Sequence, residues 1–162
     1  SGVGGIDIAG GPLPSHRYTL LDYRDSFLRA KKHGIGRTVH AGEGRPPKEI
    51  AQAILELHAQ RIGHGTTLLQ DPSVVALVRE RGVCIEACVT SNLHTGVIAS
   101  VQDHPIAHWI EEGVRVSICT DNTLLSQVNA PQEYVRVSQI SGMSQEYIEQ
   151  TLSYGRTAAF QR

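Results

Sequence analysis

Apolar positions along this chain switch repeatedly between strand-like runs and helical spacing. Val3 to Ala9 reads as a strand closed by Gly10-Gly11-Pro12. From about Leu21 to Lys32 the positions Leu21, Phe27 and Leu28 suit a helix, and Gly34 supplies its stop. Gly36 to Val39 is a second strand. Pro46 or Pro47 opens the next helix, where a first-turn proline is tolerated, and Ile50, Ile54, Leu55 and Leu57 form its expected buried stripe. Arg61 to Gly63 is a short third strand. Asp71-Pro72 is a cap and first turn, and Val74, Val75, Leu77 and Val78 carry that helix up to Gly82. Val83 to Val89 is the fourth strand. A helix from His104-Pro105 runs through Trp109 and Ile110 to Gly113, and Val114 to Thr120 is the fifth strand. Two helices close the pattern, about Pro131 to Ile140 and Gln145 to Arg156, with Ser144 as N-cap of the second.

Alternating β and α elements with short connections predict an α/β fold with a parallel sheet and right-handed crossovers. About five β/α units are present. A closed (β/α)₈ barrel takes eight and typically ~250 residues, so the pattern fits either an open five-stranded sheet or five-eighths of a barrel. No linker or low-complexity tract divides the 162 residues, which amount to one domain. The only methionine is Met143, and the chain opens on Ser1-Gly2. It is therefore expected to be a trimmed chain or a piece of a longer one. A partial barrel leaves two unpaired strand edges and an open interior. The chain is thus expected to pack against a complementary N-terminal segment or another copy of itself, rather than to be stable alone.

Composition narrows the function classes. With 40% hydrophobic and 19% charged residues and a net charge of −1, no basic field points to nucleic acid. No apolar run approaches the roughly 20 residues of a membrane span. Cys84, Cys88 and Cys119 are an odd number in strand-like segments. They read as buried thiols in a reducing compartment, hence a cytoplasmic protein.

The candidate chemistry sits where strand-like runs end, the place where parallel α/β folds build sites. His40 and Asp121 are donors that suit Zn²⁺, and each has a plain structural alternative: a backbone-bonded histidine and an N-cap. Glu43 follows His40 across Gly42, which permits a tight turn back to the same mouth. It could shuttle a proton, or merely be a first-turn glutamate favoured by the helix dipole. His64 is flanked by Gly63 and Gly65, which would let a ligand approach. Taken alone, it would more simply be a core histidine. Asp7 and Glu86 lie inside strands and must be paired or at a mouth. His16, His33, His58, His94 and His108 are expected at the surface or in caps.

Six stretches in order resemble the adenosine deaminase family of zinc aminohydrolases. They are Ile6-Asp7-Ile8-Ala9-Gly10, Thr38-Val39-His40-Ala41-Gly42-Glu43, Arg61-Ile62-Gly63-His64-Gly65, Cys88-Val89-Thr90-Ser91-Asn92-Leu93-His94-Thr95-Gly96, His104-Pro105-Ile106 and Thr120-Asp121-Asn122. The resemblance spans nearly the whole chain and implies the C-terminal portion of a (β/α)₈ TIM barrel with zinc at its carboxyl end. By the same resemblance His40 and Asp121 would ligate zinc, and Glu43 would protonate purine N1. His64 would orient or deprotonate the attacking water, and Gly10 would contact purine N3. Asn122 stands where the family usually has a second aspartate, and Val89 where it usually has proline. An asparagine amide donates a hydrogen bond to purine N7 without needing a proton. The family's His-x-His pair, which supplies two further zinc ligands, does not occur here.

The implied activity is zinc-dependent hydrolytic deamination of adenosine, or of a related 6-aminopurine such as an aminofutalosine-type compound, to inosine or its analogue and ammonia. This chain would supply one part of the active site and would be inactive alone. A second reading is a non-catalytic barrel fragment serving as a scaffold or interaction module. The other zinc deaminase class uses H-x-E with P-C-x-x-C, and neither motif is present.

Overall fold

The computed structural model describes residues 2–10 and 17–160. His16 and the Gly11-Pro12 part of the first turn lie outside them. Five strands, β1 (Gly5–Ile8), β2 (Gly36–Ala41), β3 (Arg61–His64), β4 (Cys84–Ala87) and β5 (Arg115–Ile118), form one sheet. Every neighbouring pair is parallel, and the spatial order is the chain order. An open doubly wound sheet reverses its strand order at a switch point. The unreversed order here is that of a barrel arc, which decides between the two architectures left open by the β/α pattern and bears out the barrel that the resemblance implied.

Helices α1 (Arg24–Lys32), α2 (Lys48–Glu56), α3 (Pro72–Arg81) and α5 (Ile106–Glu111) connect successive strands. The α3 boundaries follow the sequence signals closely. Asp71 accepts a hydrogen bond from Ser73 N, Pro72 fills the first turn, and Gly82 ends the helix in the left-handed region. Short helices α4 (Val89–His94) and α6 (Thr123–Ser126) follow β4 and β5 directly. The chain continues through α7 (Ala130–Ser138) and α8 (Gln145–Ala158), the latter capped by Ser144 as expected.

One continuous core lies between the outer sheet face and the helices. It joins Val39, Ile62, Ile85 and Val116 of the strands to Phe27, Ile50, Ile54, Val78, Ile106 and Trp109 of the helices. Leu55 departs from its expected place and is 49% exposed. The helix turns about 100° per residue, so Ile50, Ile54 and Leu57 share a face that Leu55 does not. The opposite sheet face is polar. There Glu86 accepts a 3.0 Å hydrogen bond from Thr38 Oγ1, and its Oε1 pairs with Arg61 Nε at 2.7 Å. The strand-buried acid thus has the partners it requires.

At the base of the sheet Phe160 lies against Gly5 and Gly36, and a Cβ at either would collide with the ring. Arg61 covers that ring at 3.7 Å and donates a 3.2 Å hydrogen bond to the Ala158 carbonyl. Cys84 and Cys88 are buried free thiols, and Cys119 is only half-buried. Burial pushes the Cys84 thiol up to about 12, that of Cys119 to about 11 and that of Cys88 well above its ordinary value, which disfavours the reactive thiolate in all three.

Candidate active site

The carboxyl ends of the strands bring most of the expected residues to one mouth. His40 is the penultimate residue of β2. Its Nδ1 lies 3.3 Å from Asp7 Oδ1 on the adjoining β1. It is therefore oriented by a carboxylate rather than by backbone. In β3, Gly63 is in register with His40. A Cβ at Gly63 would sit 3.0 Å from His40 Nδ1, so the missing side chain is what leaves room for the imidazole.

His64, at the end of β3, takes a left-handed backbone with φ of 67°, and Asp121, after β5, does the same with φ of 56°. Such conformations are costly for residues other than glycine and cluster at functional sites. They turn both side chains toward the mouth. The His40 and His64 rings meet edge-on with centroids 4.8 Å apart. Ser91 Oγ donates to Asp121 Oδ2 at 2.7 Å. The N-cap of α6 is not Asp121 but Asn122, whose Oδ1 accepts from Leu124 N and Leu125 N at 3.1 and 3.0 Å.

Glu43 stands in the loop before α2, not in its first turn. Its Oε2 lies 3.7 Å from His64 Nε2, and its Oε1 accepts from Thr95 Oγ1 at 3.3 Å and from Asn92 Nδ2 at 3.5 Å. Asn92 Nδ2 also lies 3.0 Å from His64 Nδ1. Gly10, His40 and Glu43 line one small hollow. Beside it opens a cleft of about 690 Å³, lined by Gly10, Tyr18, Leu20, Leu21, Tyr23 and His40 among others.

The electrostatics of the two histidines differ. Burial pulls His40 toward its neutral form, but the Asp7 hydrogen bond and the charges of Asp7, Asp121 and Glu86 outweigh it, and its pKa is raised. For His64 burial dominates the opposing charge of Glu43, and its pKa is lowered. Two histidines in edge contact are thereby held in different protonation tendencies.

His40 and Asp121 each carry the second partner that metal ligands usually have, Asp7 and Ser91 respectively. Neither His40 Nε2 nor Asp121 Oδ1 has a further hydrogen bond among the described residues. Among the described residues no group of three or more His, Cys, Asp or Glu side chains converges as a metal cluster.

Ser91, Asn92 and Thr95 lie within one of the family-like stretches, but no individual role could be read for them from sequence. All three belong to α4 or its end, a helix that sequence reading placed partly in the fourth strand. The available signal was a run of small polar residues between a strand and Gly96. Helix α4 is fixed from below by Glu133 of α7, which is fully buried. Glu133 accepts from Thr90 N at 2.8 Å and from the Thr90 hydroxyl, while Arg136 donates to Thr90 Oγ1 at 2.7 Å.

A sequence profile of adenosine deaminase matches residues 1–161. The chain belongs to the adenosine deaminase family. It is 39% identical over 159 residues to an adenosine deaminase of Klebsiella pneumoniae, covering 98% of this chain and 47% of that protein. The solved adenine deaminase of Arthrobacter aurescens superposes with a TM-score of 0.88 at 21% identity, over 98% of this chain and 48% of that one. The N6-methyl-AMP deaminase of Arabidopsis thaliana superposes with a TM-score of 0.82 at 28% identity, over 99% and 46%. The chain thus spans about half the length of the adenosine deaminases it matches. The fold is that of part of a TIM barrel.

Proposed function

We propose that this chain forms the C-terminal part of the catalytic barrel of a zinc-dependent deaminase acting on adenosine or a related 6-aminopurine. The observation that carries this reading is the convergence of Glu43, His64 and His40 at one mouth, beside a cleft within the usual range for small-molecule sites. His40 and Asp121 would hold the metal, completed by ligands from outside this chain. Zn²⁺, when bound, supplies a Lewis acid that makes water a better nucleophile near neutral pH.

The chain's own residues would do the rest. Glu43 would deliver a proton to purine N1 as water adds at C6 and ammonia departs. Thr95 and Asn92 support that carboxylate from the side away from His64 Nε2. Gly10 would let the purine edge approach the end of β1. Asn122 uses its amide oxygen on the α6 cap, which leaves its NH₂ to donate to purine N7 without a titrating proton. Tyr18, Leu20 and Leu21 give the cleft an aromatic and aliphatic wall suited to a planar base.

The test is deamination of adenosine, adenine and AMP by the intact protein that carries this chain, with zinc measured on the same sample. Release of ammonia and the 6-oxopurine together with one zinc per chain is expected. An intact protein that binds zinc and converts none of these substrates would favour the scaffold reading.

A further inference from the structure

We infer that Thr66 is a positioning residue for Glu43: its one hydroxyl grips the backbone on both sides of that residue and so aims the carboxyl group into the mouth. The inference rests on the reading of Glu43 as the acid of a deaminase, and goes beyond it by naming what holds that acid in place.

Glu43 stands between two glycines, Gly42 and Gly44, whose backbones are both left-handed, with φ of 69° and 62°. Glycine makes this double reversal possible, but its wide conformational freedom also makes the loop costly to fix. The tip of Glu43 is held only loosely. Its Oε1 is 3.3 Å from Thr95 Oγ1 and 3.5 Å from Asn92 Nδ2. Good hydrogen bonds run about 2.5–3.0 Å from a hydroxyl and about 2.7–3.2 Å from a nitrogen. The base of the residue is held within those ranges. Thr66, in the turn after β3, donates from Oγ1 to the Gly42 carbonyl at 2.9 Å, and the same Oγ1 accepts from Gly44 N at 3.0 Å. A carbonyl can only accept and an N–H can only donate, so the hydroxyl serves both in just one orientation. Among the described residues Gly44 N has no other partner.

The turn that carries Thr66 is itself fixed to this loop. Gly65 N donates to the Ala41 carbonyl at 3.1 Å, and Thr67 N to the Gly42 carbonyl at 3.1 Å. Thr67 is 7% exposed, and its Oγ1 donates to the Arg45 carbonyl at 2.6 Å. The segment after His64 thus runs bonded along the segment around Glu43. It sets the two side chains relative to each other from their backbones. A misplacement of about 1 Å at a reacting group can cost about 10²-fold in rate. Loss of the Thr66 grip therefore appears in kcat, while the purine keeps its other contacts.

Thr66→Val in the intact protein tests this, because valine has nearly the same shape but neither donates nor accepts. With whichever 6-aminopurine is converted, kcat should fall at least tenfold, with KM changed less than threefold and zinc content unchanged. Thr66→Ser, which restores the hydroxyl, should return kcat to within threefold of wild type. In a Glu43→Gln background Thr66→Val should change kcat less than twofold, since the group it positions is already disabled. An unaltered kcat in Thr66→Val would overturn the inference. So would an equal fall in both backgrounds, which would mean that Thr66 acts on something other than Glu43. Amide exchange followed by NMR gives a reading free of turnover. Gly44 N–H should exchange at least tenfold more slowly in the wild-type protein than in an unstructured peptide. An unprotected Gly44 would overturn the inference even if Thr66→Val failed to fold. Failure of the deaminase reading shows separately, as absent turnover in a wild-type protein whose Gly44 is protected, and it would remove the role given to Thr66 along with that of Glu43.

Discussion

Ser91 Oγ and Asp121 Oδ2 are joined by a 2.7 Å hydrogen bond that ties α4 to the turn after β5. The bond occupies one carboxylate oxygen and aims the other. Partners of this kind are worth about 10- to 100-fold in metal affinity. Ser91→Ala in the intact protein should therefore weaken zinc binding by about that factor, measured by competition with a chromogenic chelator. Unchanged affinity would mean that Asp121 is not a ligand.

Glu43→Gln keeps the size of the side chain and its contact with Thr95 but removes the transferable proton. General acid–base catalysis contributes about 10²–10⁴-fold. The expected result is a fall in kcat of that order with zinc content unchanged. Activity within a few-fold of wild type would rule out Glu43 as the acid at N1, and loss of zinc would make it a ligand or ligand support.

His104 yields a prediction about acid stability. It is 3% exposed, its Nδ1 accepts from Ile106 N at 3.2 Å, and burial followed by the nearby His64 depresses its pKa to about 3. An unfolded histidine titrates near 6.5. Between about 6.5 and about 3 the unfolded chain binds a proton at this residue that the folded chain refuses. Stability is therefore full above the unfolded value and falls with falling pH, by at most about 1.4 kcal/mol per pH unit. His104→Asn retains an acceptor for the Ile106 N–H but does not titrate. Urea denaturation at pH 7 and pH 5 should show a smaller acid loss in the variant than in wild type.

Phe160 and Gly36 form a testable pair. Gly36→Ala forces the ring to move and should destabilise by about 1–3 kcal/mol, the range for overpacking. Phe160→Ala removes a large contact and also destabilises. The double variant should lose less than the sum, because the alanine at 36 then meets open space. Additive losses in thermal or denaturant unfolding would show that the two do not touch.

Sequence made the five strands and the main helices legible because each carries local signals. Asp71-Pro72 before the Val74–Val78 run, Gly82 after it, and Ser144 before α8 are such cases. The strand order was not legible in the β/α pattern alone, which serves an open sheet and a barrel equally; it was the family resemblance that implied the barrel. Helix α4 was missed for a physical reason. Val89 and Thr90 favour strands locally, and what makes them helical is burial beneath α7 with Glu133 on Thr90. His40, Glu43, His64 and Asp121 could be picked out because they stand at or just past strand ends, the first three beside or near glycines. Asn92 and Ser91 could not, because their importance lies in what they touch across the fold.

The seat of Phe160 on Gly5 and Gly36 bears on how the chain acquires its shape. Every strand pairing joins neighbours in the sequence, so the sheet can form one strand after another as the chain emerges during synthesis. The ring contact joins opposite ends of the chain and waits for the last helix. Contacts of such long sequence separation slow folding. The order of events is then a ladder of five strands zipped early and a base sealed late. A ribosome-bound chain stalled before α8 should already have its strands paired in sequence while its lower rim still exchanges with water.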